Sequence, residues 1–242
     1  MDEITDDRPP FPRTRWALLW IVAFALLQIL LGTTAVLLAF PEIDSVQSLL
    51  AILGNLEKSG PASLYGTAVA GLCLTGALGF YLARDDRFRV IGLDSWGRIG
   101  LAKSLGAGLV ILLSAAALAH LYSTYVISGS PLQAQTQRII ASMSDSWLDQ
   151  VTMFFVIVIF AAIIEEILFR GLLQNGLKRR VGAGWAIVIA GLVFAAIHGQ
   201  LLAFPVLALI GMAFGLLYHL TGSLRLTILL HMINNGAALA FS

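Results

Sequence analysis

Apolar residues run along the chain in blocks of about 20, the length that crosses a hydrocarbon core as a helix. Polar residues fall between the blocks or stand in small groups inside them. The pattern predicts about seven membrane spans, roughly 16–39, 64–83, 102–127, 150–175, 184–198, 202–220 and 225–241. The last three are short and closely spaced, and glycine-containing turns join them, as expected of helices that end inside a protein and line a cavity. Two connecting segments, 40–63 and 128–149, carry apolar stripes at helical spacing. Val46, Leu49, Leu50, Leu53 and Leu56 form one, and Ile139, Ile140, Met143 and Trp147 the other, which predicts helices lying along the membrane surface.

Composition agrees with the pattern. The chain of 242 residues is 58% hydrophobic and 12% charged, with mean hydropathy +0.87, whereas charged residues make up about 25% of a soluble domain. An all-α polytopic membrane bundle is the fold expected. No soluble domain, internal repeat or low-complexity linker interrupts it, so residues 1–242 read as one membrane domain. Within it, 1–148 supplies N-terminal spans and surface helices, and 149–242 holds the interior polar residues. The first 13 residues are acidic and proline-rich, and the apolar run after them is too long for a signal-peptide core, so the first helix is expected to stay as an anchor.

Charge reports topology. Arg8, Arg13 and Arg15 precede the first span, Arg84, Arg87, Arg89, Arg98 and Lys103 surround the 84–101 loop, and Lys178, Arg179 and Arg180 follow the fourth span. The intervening 40–63 and 128–149 loops hold only Lys58 and Arg138. The positive-inside rule then places the N-terminus in the cytoplasm, of a plasma membrane by expectation, and seven spans place the C-terminus outside. A net charge of +1 without a basic patch gives no support for nucleic-acid binding. The single cysteine, Cys73, excludes an intrachain disulfide and any cysteine-based metal cluster, and reads as a small packing residue.

Inside the fourth span stand Glu165, Glu166 and Arg170. An ionised side chain near the bilayer centre costs about 2.5–3.5 kcal/mol on insertion scales, so three of them within six positions need partners, water or a chemical task. Residues i and i+4 share a helix face, which pairs Glu166 with Arg170 in the favourable order, acid towards the N-terminus. Glu165 is left on another face without an intrahelical cation. That is how a general base presents itself in sequence; a structural ion pair beside one polar packing residue is the plainer alternative.

Two later helices carry further polar sites, Phe194-Ala-Ala-Ile-His198 and His231-Met-Ile-Asn-Asn235. One turn separates the ends of each, so Phe194 is expected to shield His198, and His231 to stand beside Asn235 with Asn234 turned away. His120 and His219 lie near span ends and read as interfacial. The set of interior groups fits peptide-bond hydrolysis by an activated water, a glutamate and a histidine sharing the proton work and neutral donors receiving the oxyanion. No serine lies in a G-x-S-x-G elbow and Cys73 has no neighbouring histidine. H-E-x-x-H is absent too, which ranks zinc, held by two histidines and a glutamate, behind a metal-free site. A proton-coupled transporter is a further reading of intramembrane acids and histidines.

Glu165-Glu166-x-x-x-Arg170, Phe194-x-x-x-His198 and His231-x-x-x-Asn235, in this order, resemble the CPBP intramembrane proteases, the CAAX proteases and bacteriocin-processing or immunity proteins. The resemblance covers residues 149–242, a protease core by implication. It implies that Glu165 activates water, that His198 and His231 take part in proton transfer and positioning, that Asn235 helps to hold the oxyanion, and that no metal or other cofactor is used. The substrate it implies is a membrane-associated or lipidated protein or a bacteriocin-type peptide, met in the lipid bilayer. The family also contains immunity and scaffolding members, so a non-proteolytic adaptor is the alternative.

Depth supplies one test of the grouping. At 1.5 Å per residue Glu165 lies about 20 Å from Lys178 and His198 about 21 Å from Gly184, a match, but His231 lies only about 9 Å from Arg225. Either the turn 221–225 enters the bundle or the last helix starts deep.

Overall fold

The longest element is a helical run of 51 residues, Trp147–Ile197, in which Gly182 breaks the helix at φ 79° and ψ 169°. A positive φ of this kind is open to glycine at no steric cost. The computed structural model describes residues 14–128, 138, 140–142 and 146–240, and every element among them is helical. In chain order they are α1 Thr14–Ala39, α2 Val46–Gly54, α3 Leu56–Ala83, α4 Arg87–Val90, α5 Leu101–Ile127, α6 Trp147–Ile197, α7 Phe204–Thr221 and α8 Leu224–Ala240. The acidic N-terminal segment and the stripe positions Ile139 and Met143 lie outside the described residues.

Five of these helices, α1, α3, α5, α6 and α7, are long and apolar enough to cross a membrane. The difference from the seven spans expected arises at two places. The fourth and fifth expected spans are both arms of α6, and α8 has only 17 residues. Leucines and isoleucines stay exposed along α1 and α5, among them Leu26, Ile29, Leu30, Leu109 and Leu113; so large an apolar surface belongs against lipid. Cys73 is exposed on α3, so it is no packing residue of the interior. The surface stripe of residues 46–56 forms α2, capped by Ser45 and without a buried residue, and the start of α3.

The two arms of α6 fold back on one another. Phe169 meets Phe194 edge to face at 5.3 Å, and Glu165 stands 4.0 Å from His198; both contacts pair residues equidistant from Gly182 to within one position. The depth match expected from sequence is this hairpin. α7 then crosses the second arm at Gly191 and Gly211, where a Cβ on Gly211 would come within 3.0 Å of the Gly191 Cα. The missing side chains let two backbones approach as small residues do in membrane bundles.

Contacts between loops sort the helix ends into two faces. At one, Arg98 reaches the carbonyls of His219 and Leu220, Leu224 N–H donates to Gly92 O, and Thr14 lies against Gly176. At the other, Arg138 pairs with Glu57, Tyr65 donates to Asp149, and Tyr122 donates to Leu202 O. The turn before α8 is buried at the first face, with Thr221, Ser223 and Leu224 fully covered. Its polar groups are satisfied there: Thr221 O accepts from Arg98 N–H, and Ser223 Oγ donates to Ser95 O at 2.5 Å. The segment around residues 91–98 roofs this turn, so α8 starts deep and needs few residues to bring His231 to the level of Glu165.

Candidate active site

The local helix of α6 changes where its polar residues begin. Phe155–Phe160 and Glu166–Gln174 are π-helical, separated by the α-turn Ala161–Glu165. These wider turns were not legible in the residue spacing, yet Glu166 and Arg170 still pair, Arg170 Nη1 lying 2.9 Å from Glu166 Oε1 with both side chains buried. Arg170 Nη2 donates to Gly211 O at 2.9 Å, and its guanidinium stacks on the rings of Phe194 and Phe214 at 4.9 and 5.5 Å. One turn further, Gln174 repeats the pattern, donating to Gly215 O at 2.9 Å. Gln174 escaped the sequence reading, although its i+4 spacing from Arg170 was the signal: Glu166, Arg170 and Gln174 form one polar stripe whose donors meet carbonyls of the glycine-rich face of α7.

Glu166 has a second partner. His231 Nδ1 lies 2.8 Å from Glu166 Oε1, and His231 stacks on Phe214 at 4.6 Å. A carboxylate accepts, so the Nδ1 proton is on His231 and its Nε2 turns away from Glu166. That nitrogen stands 3.8 Å from Glu165 Oε2. His198 is held in the same sense, with Nδ1 2.7 Å from the carbonyl of Phe194 and Nε2 4.0 Å from Glu165 Oε1. The two imidazoles therefore present Nε2 to opposite oxygens of one carboxylate. Both separations exceed a direct hydrogen bond and suit a bridging water.

The other expected residues fall as follows. Phe194 is buried and lines the cavity, its ring 4.8 Å from that of His198. Asn235 Nδ2 donates to Ile157 O at 2.9 Å, which uses one of its two N–H groups and leaves the other. Asn234 is not turned away as expected: it lines the same cavity, and its Nδ2 lies 3.4 Å from Asn235 Oδ1. The cavity, about 560 Å³, is walled chiefly by apolar groups of α6, α7 and α8, with Glu165, His198, His231 and the two asparagines at its polar end. His219 sits half-buried in the last turn of α7 and His120 exposed near the end of α5, both apart from this group. Among the described residues no three His, Cys, Asp or Glu side chains converge on a point where a metal ion would be held.

Fold and site together define a polytopic helical membrane protein with an acid and imidazole cluster at the end of an apolar cavity. Residues 147–237 match the family described as type II CAAX prenyl endopeptidase Rce1-like. No curated protein and no solved structure matches the chain. The matched segment runs from the start of α6 into α8, and so contains every residue of the cluster.

Proposed function

We propose that the protein is an intramembrane endopeptidase in which Glu165 activates a water held between its carboxylate and the Nε2 atoms of His198 and His231. The observation that carries this reading is the orientation of both imidazoles, each fixed through Nδ1 and each aimed at Glu165 across a gap of one water. Glu165 takes a proton as the water oxygen bonds to the substrate carbonyl carbon, and the free N–H of Asn235 receives the developing oxyanion. Collapse of that intermediate breaks the C–N bond, and a proton passed from Glu165 through a histidine Nε2 leaves with the amine. No side-chain nucleophile and no metal enters this scheme. Glu166 and Arg170 act through His231 as positioning groups. The cavity suits an extended peptide with apolar side chains, from a membrane-associated protein or a bacteriocin-type peptide.

The test compares membrane proteomes of cells carrying the wild type and Glu165→Ala, seeking a protein whose mature terminus disappears with the carboxylate. If cellular function survives Glu165→Ala with no terminus lost, the protein is an adaptor and the proteolytic reading fails.

A further inference from the structure

The two faces of the bundle differ in charge, and among the described residues the cavity takes lining residues from only one of them. Arg15, the 84–103 segment with its five basic residues, the triad Lys178, Arg179 and Arg180, and Arg225 all lie at the face where Arg98 meets the end of α7. The opposite face carries Lys58 and Arg138, and Arg138 is paired with Glu57 at 2.9 Å. Short loops rich in Lys and Arg stay in the cytoplasm. The cavity lining includes Ile140, Gln200 and Leu239, all from the end with few basic residues, and among the described residues none of its lining comes from the basic face. Glu165 lies about 20 Å from Lys178 along α6, which in a hydrocarbon core of about 30 Å leaves it about 10 Å below the other surface. On the basic side the way is closed by Arg170, Leu172, Phe214, Leu217 and Leu224, all buried.

From this we infer that the site works from the extracytoplasmic side, on a peptide or protein segment that has already crossed or entered the membrane. The inference rests on the endopeptidase reading and narrows it. A lipidated protein carried on the cytoplasmic leaflet cannot present its scissile bond to a cavity lined from the opposite end. A translocated peptide can, by lowering an apolar stretch past Gln200 and Asn234 until its carbonyl reaches Asn235. The reaction that supplies the substrate is therefore membrane translocation.

The test has two arms. In a Cys73→Ser background, Gln200→Cys and Leu201→Cys, both in the exposed turn before α7, and Arg179→Cys are treated with a membrane-impermeant thiol reagent in intact cells and after permeabilisation. The turn positions are expected to label in intact cells and Arg179→Cys only after permeabilisation. The reverse pattern, or turn positions that label only after permeabilisation, overturns the inference. In the second arm, right-side-out and inverted vesicles receive a pool of quenched fluorogenic peptides with randomised apolar centres. Cleavage is expected in right-side-out vesicles and at background in inverted ones; cleavage confined to inverted vesicles overturns the proposed side. If detergent-solubilised protein cleaves none of the pool, or cleaves equally as Glu165→Gln, the endopeptidase reading fails while the labelling arm still decides the orientation of the cavity.

Discussion

Replacing Glu166 with glutamine removes one negative charge and leaves the volume unchanged, which isolates what that charge holds together. In the wild type one oxygen, Oε1, meets Arg170 Nη1 at 2.9 Å and His231 Nδ1 at 2.8 Å, and both partners are buried. Without the charge, Arg170 keeps Gly211 O and the faces of Phe194 and Phe214 but loses the carboxylate paired with it. Breaking a buried pair by removing one partner costs about 3–5 kcal/mol, because the stranded charge stays desolvated. A second loss is chemical. A glutamine can turn its N–H2 towards His231, and a ring that then accepts at Nδ1 would carry its proton on Nε2, the atom aimed at Glu165. Misplacing a reacting group by about 1 Å costs about 10²-fold in rate, so folded Glu166→Gln should lose turnover of that order in addition to stability. Glu165→Gln should behave differently, keeping its yield and thermal stability while turnover falls by about 10²–10⁴-fold, the usual contribution of a positioned general base. The assay measures detergent-solubilised yield, unfolding temperature and turnover per folded molecule for both variants. Wild-type stability and turnover in Glu166→Gln would refute the bridge to Arg170 and His231. Wild-type turnover in Glu165→Gln with inactive, folded Glu166→Gln would reverse the two roles.

Asn235→Ala should lower kcat by about 10²–10³-fold, the cost of losing one oxyanion donor, with KM little changed; steady-state kinetics on a cleaved peptide check this. Gly211→Ala puts a methyl within about 3 Å of the Gly191 backbone and should destabilise by about 1–3 kcal/mol, read as a lowered Tm in detergent. Active protein should keep its activity in strong chelators and contain no stoichiometric zinc by elemental analysis; reversible loss restored by zinc would favour a metal mechanism.

How much of this site could be read beforehand depends on the range of each contact. Glu166 with Arg170 is a neighbour pair along one helix, set by a spacing that sequence displays, and it forms even though the helix there is π rather than α. The facing of Glu165 and His198 was also within reach, since both arms run similar lengths from one turn and the same rise per residue puts them level. The bond from Glu166 to His231 spans 65 positions and depends on how α8 rotates about its own axis, which no local spacing encodes. The same rotation explains Asn234: in an ideal helix adjacent residues point about 100° apart, and a cavity wide enough to take both receives the neighbour as well as Asn235. The start of α8 turned on a loop 128 positions away, where Ser95 and Gly92 receive the donors of the buried turn. That loop reads in sequence only as a polar, basic connection, because its task of roofing a helix start is carried by backbone carbonyls, which every residue has. Side-chain chemistry could therefore be picked out residue by residue, whereas the backbone contacts that bring His231 level with Glu165 became visible only with the fold.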